Sequence, residues 1–581
     1  MSDGAPGGGS ASDPAVAAEP PAGSASLQDG VRALFLAGDL AAANSLVRTH
    51  LEVMLTDAAG CTLVAAVANA LGRPDEALAP LERATVLAPD SAGTWQNYGI
   101  IQRQLGQSRE AADSFRVAAG LDPASAEACY GCGQALADVD DLAGALGWFE
   151  TAISRDPGHA AAHAVRGLML YRLGQITEAL AAYETAIGLD PAMPEPWLNL
   201  GVLYQREGLV AEALMCFETA IVRHPALVAA WSNRAKALRA LGRIEEARDS
   251  FDRALQLSPD DPVLRFDRGL CRLLLGDYAG GWADYEHRLA GRPSAALVPA
   301  PVPVWQGGDP RGPRLLVTAE QGFGDAFQFV RYIRILTDLG ATVTLQVPAP
   351  MLAILAPLAD ICTLTAMLDD PRAFDAQIAL MSLPLRLGTD AGSIPADVPY
   401  LAADAGRVVS WGSRIGTDGV RIGIAWQGNP GFSEDATRSI PLAAFAPLAG
   451  LAGKRLISLQ RRDGLDQLAL LAEPFGIERL PGNVDTEAPF VDTAAILMHL
   501  DLVVTSDSAI AHLAGALGRP VWLLLPAVPD WRWLMQGESC PWYPTMRIFR
   551  QGADGWTGVF AEVRQALLRQ YPSSGGSDGT A

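Results

Sequence analysis

The sequence predicts an α + α/β chain: an all-α solenoid of stacked helical hairpins, followed by a compact α/β half built as two parallel lobes. Three observations carry this reading. Pro89, Pro123, Pro157, Pro191, Pro225 and Pro259 recur at a constant spacing of 34 residues, and a period of that size marks a repeat architecture. Pro293, Pro299, Pro301, Pro303, Pro310 and Pro313 then interrupt any helix. From Arg314 onward, short apolar runs alternate with helical patterns, the signature of a parallel sheet covered by helices.

Other positions keep step with the repeated prolines. Seventeen residues before them stand Gly72, Gly106, Asp140, Gly174, Gly208 and Gly242, with Gly276 continuing the series and Gly38 preceding it. Seven residues earlier again comes a small residue: Ala65, Gly99, Gly133, Gly167, Gly201, Ala235 and Gly269. Phe115, Phe149, Tyr183, Phe217 and Phe251 form an aromatic series, flanked by alanines such as Ala111 and Ala118. Small residues let two helices approach, the aromatic fills the gap between neighbours, and proline ends the second helix of each unit. The pattern resembles the tetratricopeptide repeat, which implies seven or eight hairpins coiled into a superhelix (TPR solenoid) over residues 27–290.

A concave groove follows from such stacking. Two residues before the small position the chain reads Asn97, Gly131, Val165, Asn199, Asn233 and Asp267. In the repeat family this position resembles the inner ladder whose Asn amides hold an extended peptide, as in the protein O-GlcNAc transferases. An amide offers both donor and acceptor to a peptide bond. Asn97, Asn199 and Asn233 are therefore the candidate peptide-binding residues, although Asn is also ordinary at this position in the repeat. The partner expected there is a protein or peptide.

Composition narrows the other partners. The 581 residues carry 44 Lys plus Arg against 65 Asp plus Glu, a formal charge of −21, which argues against a surface that tracks nucleic-acid phosphates. Apolar residues make up 49% and charged residues 19%, enough to close sizeable cores. The seven cysteines are odd in number and scattered, which reads as a reduced, cytoplasmic protein rather than a disulfide scaffold. Cys129 and Cys132 form a C-x-x-C, but both occupy packing positions of a repeat helix. No uncharged run reaches the ~18 to 20 residues of a membrane span, and no basic-then-apolar leader opens the chain. The Gly/Ala/Ser/Pro-rich stretches 1–26 and 572–581 read as disordered tails.

Residues 291–313 read as a Pro-rich linker, 314–400 as a first Rossmann-like lobe, and 418–571 as a second. Expected strands are RLLVT, ATVTLQV, FDAQIAL, RIGIAW, KRLISL, DLVVTS and VWLLL. Ligands bind outside the carboxyl ends of such strands. Two strand-to-helix turns stand there. In EQGFGDAFQF, Gly322 and Gly324 let a substrate approach the backbone before Asp325 opens a helix. An acid at that place serves a proton-transfer base and a plain helix cap equally. The third glycine of a dinucleotide fingerprint is replaced by Phe327. In TSDSAIAHLAGALGRP, Asp507, Ser508 and Ala509 present a helix N-terminus suited to a phosphate, with His512 on the same face. No H-E-x-x-H or Walker loop occurs, so no metal site is expected.

These two turns carry a second resemblance. Residues 314–571 look like the heptosyltransferase-type glycosyltransferases of family 9, which implies a GT-B fold and metal-independent use of nucleotide-diphosphate sugars. The family's opening Gly-Asp loop resembles Gly324 and Asp325, implying Asp325 as the base. Its donor loop resembles Asp507, Ser508, Ala509, His512, Ala514, Gly518 and Pro520, with Ala509 standing where the family has glycine. A basic residue after the first strand of the second lobe resembles Arg438. The acid that holds the ribose has no clear match, and Gln460 and Asp463 are the candidates.

The expectation is an inverting glycosyltransferase whose solenoid recruits a protein or glycan acceptor, with a nucleotide sugar as co-substrate and neither cofactor nor metal. Two rivals remain: a protein-interaction scaffold with a non-catalytic transferase-like half, and a sugar-nucleotide epimerase. The aromatic group Trp531, Trp533, Trp542 and Tyr543 either stacks a sugar or base or packs a long loop.

Overall fold

The computed structural model describes residues 24–290, 302–431 and 435–572. The expectations for residues 1–23, 291–301 and 573–581 lie outside these. Residues 24–26, read above as tail, already belong to the helix Ser24–Leu36.

The chain divides into two compact units, residues 1–227 and 228–581. Among the described residues, the first unit holds six helical hairpins, running from Ser24–Leu36 with Leu40–Thr49 to Pro194–Arg206 with Val210–Arg223. From the second hairpin onward the first helix has 13 residues and the second 14. The turn glycines Gly38, Gly72, Gly106, Gly174 and Gly208 all sit at φ between 74° and 79°. Asp140 takes the same place at φ 65°, a left-handed conformation that Asp tolerates better than most residues.

The small-residue series meets the aromatic series directly. A Cβ added to Gly133 would lie 2.6 Å from the Phe149 ring, and one on Gly201 would lie 2.5 Å from Phe217. Phe115 is held between two repeats, since a Cβ on Gly99 would meet it at 3.1 Å and one on Gly131 at 2.6 Å. Helix approach here is set by the missing side chains.

The second unit opens with two more hairpins, Val228–Ala240 with Ile244–Leu257 and Pro262–Leu274 with Tyr278–Tyr285. Two all-parallel sheets follow. The first has the order β3-β2-β1-β4, with β1 Arg314–Thr318, β2 Thr342–Gln346, β3 Thr363–Thr365 and β4 Ala376–Ala379. The second has the order β10-β9-β8-β5-β6-β7, with β5 Val420–Ala425, β6 Lys454–Ser458, β7 Ile477–Glu478, β8 Leu502–Ser506, β9 Val521–Leu525 and β10 Met546–Arg550. The seven expected strands are present. β3, β7 and β10 were not anticipated, being short or lacking a continuous apolar run.

Counted within its own lobe, the second sheet runs 3-2-1-4-5-6. The order in which strands are added reverses between β5 and β8, which opens a crevice at their carboxyl ends. Behind it, Ile422, Ile424, Leu456, Val504 and Leu524 pack against Val559, Phe560, Val563 and Leu567 of the helix Gly555–Gln570. Burial of this kind stabilises by ~25 cal/mol per Å² of apolar surface.

The contact boundary falls at Leu227 rather than in the proline stretch, because the last hairpin shares a core with the sheets. Tyr278, Trp282 and Tyr285 are at most 4% exposed. Trp282 meets Trp531 and Trp542 edge-on at 5.3 and 6.3 Å, and Tyr285 meets Trp531 at 5.7 Å. The Trp282 indole donates to the Thr389 carbonyl at 3.0 Å.

Candidate active site

Asp325 stands at the carboxyl end of β1, in the helix Phe323–Phe329, which starts two residues before the expected position. Its Oδ2 accepts from the Gly322 amide at 3.1 Å, so it does cap its helix. Its Oδ1 accepts from Arg532 at 2.5 Å. Burial raises the Asp325 carboxyl above its ordinary value against the pull of Arg532.

Arg532 comes from the loop after β9 and is 7% exposed. It also donates to Gln328 Oε1 at 2.7 Å and Asp530 Oδ1 at 2.9 Å, and its guanidinium lies 4.3 Å from the Trp531 ring centroid. Burial opposes its charge, but Asp530 and Asp325 hold it firmly protonated. Sequence reading passed over Arg532, since nothing in DWRW marks it as the partner of an acid 207 residues earlier.

Gln321, just before Gly322, sits at φ 63° without being glycine. Side chains from the last hairpin brace this loop. Arg288 donates to Glu320 Oε1 at 2.5 Å and Ser382 Oγ at 2.9 Å, and Gln321 reaches the Tyr285 hydroxyl at 3.5 Å. Backbone strain of this sort persists only where surroundings enforce it.

Across the crevice, β8 ends in Asp507 and Ser508, and Ser508 caps the helix Ala509–Ala516 without a side-chain bond to it. Asp507 is 8% exposed. Burial and the neighbouring Asp530 raise it to about 6. His512 donates or accepts at Nδ1 with the Tyr543 hydroxyl at 2.9 Å, and its Nε2 lies 4.0 Å from Asp507 Oδ1. Burial, with Arg532, Arg331 and Arg438 nearby, holds His512 well below its ordinary value. It is neutral at pH 7, so it supplies no positive charge to a phosphate.

The two turns touch. A Cβ on Gly324 would lie 3.1 Å from His512 Cδ2 and 3.6 Å from the Ala509 Cα. Phe323 and Phe327 pack on Phe490 of the second lobe at 5.0 and 5.4 Å. Arg438 donates to Asp435 Oδ1 at 3.1 Å, over the loop that leaves β5. Beside that loop, a cavity of about 490 Å³ opens among Gln427, Asp435, Ser439 and Gln467.

The structure bears on two of the candidate readings. Gln460 is committed to backbone: its Oε1 accepts from the Trp426 and Gln427 amides at 3.2 and 3.3 Å, and its Nε2 donates to the Gln427 carbonyl at 2.9 Å. One Nε2 hydrogen is all that remains for a ribose. Trp531, Trp533, Trp542 and Tyr543 are at most 4% exposed and offer no face to a sugar or base; Trp533 instead stacks on His512 at 5.1 Å. Asp463 is half-buried. Among the described residues, no three His, Cys, Asp or Glu side chains converge as metal ligands. Cys129 and Cys132 are both fully buried, free thiols.

The ladder residues are described within their own units. Asn97 and Asn199 lie in the first, exposed and half-buried respectively, and Asn233 lies half-buried in the second. Where the ladder has Gly131, the first unit holds a cavity of about 410 Å³ lined by Gln96, Arg103, Phe115, Tyr130 and Gln134.

Comparison with known proteins finds two kinds of family along the chain. The family model described as tetratricopeptide repeat matches residues 65–126 and 198–262, and that described as TPR repeat matches 167–208. The model of glycosyltransferase family 9 (heptosyltransferase) matches residues 478–525. The chain carries tetratricopeptide repeats, and residues 478–525 match the family 9 model. That segment runs through β8, Asp507, His512 and β9. Protein FlbA of Caulobacter vibrioides is 29% identical over 346 residues, 55% of this chain and 57% of FlbA. The chain thus spans little more than half the length of that relative. Among solved structures, the APC/C Cut9–Hcn1 hetero-tetramer is 20% identical with a TM-score of 0.35, covering 45% of this chain and 52% of its own. YrrB, described as a TPR protein with an unusual peptide-binding site, is 22% identical with a TM-score of 0.27, covering 32% and 95%. The repeats suggest protein interaction, and the family 9 segment suggests glycosyl transfer. Among the described residues, no helix is long and apolar enough to cross a membrane.

Proposed function

We propose that the chain is an inverting, metal-independent glycosyltransferase that uses a nucleotide-diphosphate sugar and recruits a protein acceptor through its repeats. The observation that carries this reading is the convergence of a half-buried carboxylate, Asp325, with the donor-loop helix Ala509–Ala516 at the facing carboxyl ends of two parallel sheets. Asp325 takes the proton of the acceptor hydroxyl as that oxygen attacks the anomeric carbon from the face opposite the leaving nucleotide. Its two oxygens hold Gly322 and Arg532 and keep lone pairs free for the hydroxyl. Negative charge developing on the diphosphate meets Arg438 and the N-terminus of the helix Ala509–Ala516. Asn97 and Asn199 in the first unit, and Asn233 in the second, each offer an amide to acceptor backbone.

The test is to incubate the purified chain with UDP-, GDP-, ADP-, CDP- and CMP-linked sugars, with and without acceptor proteins, and to follow nucleotide release and acceptor mass. Acceptor-dependent release with one donor supports the reading; no release and no donor binding overturn it. The close approach of Gly324 to His512, together with the Arg532 bond on Asp325, favours the second reading, a scaffold whose transferase-like half is inactive. Donor binding without turnover would select it.

A further inference from the structure

We infer that Arg461, at the carboxyl end of β6, binds a phosphate group of the donor nucleotide, an inference that rests on the nucleotide-sugar reading and names a residue for it. The guanidinium has no hydrogen-bond partner within the protein at Nε or Nη2, although both atoms are buried. A desolvated cation without partners costs several kcal/mol and is rare in a finished site.

The acids around it do not answer the charge. Asp485 and Asp492 are close enough to act on Arg461 electrostatically, yet burial still pulls its pKa down. Asp492 Oδ1 accepts from Arg407 at 2.8 Å and Trp411 at 2.9 Å, and its Oδ2 accepts from the Asp485 amide at 2.8 Å. Asp485 Oδ1 accepts from the Asp492 and Thr493 amides at 2.8 and 3.0 Å, and its Oδ2 from the Thr493 hydroxyl at 2.5 Å. These carboxylates orient a cation without bonding to it.

Position decides what would complete the set. β6 borders β5 at the reversal point, and strands ~4.8 Å apart place the end of β6 about 10 Å from the end of β8. Gln460, the residue before Arg461, is locked onto the end of β5 by three hydrogen bonds, so the arginine emerges from a fixed backbone. Its acidic neighbours belong to the segment that carries Phe490, which packs on Phe323 and Phe327 beside the Asp325 loop. The guanidinium therefore stands on the side of the crevice between the sheets. An arginine fork matches phosphate oxygens bidentately.

The experiment compares wild type, Arg461→Met and Arg461→Lys by calorimetry with UDP, GDP, ADP, CDP and the four parent nucleosides, and records thermal midpoints without ligand. A charged hydrogen bond lost from binding predicts a 10- to 100-fold weaker diphosphate in Arg461→Met, partial recovery in Arg461→Lys, and no change for a nucleoside. The ligand-free midpoint of Arg461→Met should stay level or rise, since no native bond is broken. A lowered midpoint with unchanged diphosphate affinity would mean a structural arginine and would overturn the inference. Diphosphate binding that survives Arg461→Met but is lost in Arg438→Gln overturns the inference alone. Failure of the wild type to bind any of the four diphosphates overturns the nucleotide-sugar reading as well.

Discussion

Arg532 and Asp325 meet at 2.5 Å across the two lobes, so the candidate base is held by a cation that belongs to the opposite sheet. Asp530, bonded to the same guanidinium at 2.9 Å, completes a triad in which Arg532 answers two acids.

Asp325→Asn keeps one acceptor for Gly322 or Arg532 but not both, so it should lose stability yet still fold. Turnover should fall by ~10² to 10⁴-fold while donor affinity by calorimetry changes little. A full-speed variant would refute the catalytic assignment.

Arg532→Met should act on both stability and pH dependence. Removing one partner of a buried ion pair costs ~3–5 kcal/mol, readable by denaturant unfolding. Arg532 lowers the Asp325 pKa, so without it that pKa rises. The acid limb of kcat/KM then moves to higher pH. An unmoved limb would mean that Asp325 is not the titrating base.

Asp507 sets a pH dependence of stability with a definite sign. Its carboxyl is raised from 3.8 to about 6 in the fold, so the native state holds its proton where the unfolded state has released it. Its stabilising contribution is present below about pH 4 and is lost as pH rises through about 6. Asp507→Asn should therefore be more stable than wild type at pH 7, with the gap closing below pH 4. Parallel unfolding curves from pH 4 to 7 check this.

Trp282→Ala should cost ~3–5 kcal/mol. It opens a hole between the last hairpin and Trp531 and Trp542, so unfolding of the second unit by tryptophan fluorescence should shift as a whole. A fragment of residues 27–290 exposes that aromatic face and should self-associate more than one ending at Leu257. Equal behaviour of the two fragments in sedimentation would contradict a shared core.

Activity, once found, should survive excess EDTA, since the diphosphate charge is answered by Arg438 and a helix terminus. Loss with EDTA and rescue by magnesium would reverse that part of the proposal.

The repeats were legible because each unit restates the same steric demands. Even Asp140, the odd member of the turn series, adopts the backbone that its glycine neighbours adopt. Asp325 and Asp507 were legible because glycine and helix-start chemistry are local. Arg532, Arg288 and Trp282 were not, since each acquires its meaning from a partner brought in by tertiary folding. Gln460 is a weaker ribose candidate for the same reason: most of its amide is engaged by the end of β5, while the next residue along has free donors.

The joint between the last hairpin and the Asp325 loop acts as a ruler. Arg288 and Tyr285 bond to Glu320 and Gln321 of that loop, and Trp282 bonds to Thr389 of the same lobe. A peptide gripped at the final repeats would therefore reach the carboxylate at a fixed offset. On a long acceptor, glycosylated hydroxyls would then fall a constant number of residues from the gripped segment, and inserting two glycines between them would move the modification to a new residue.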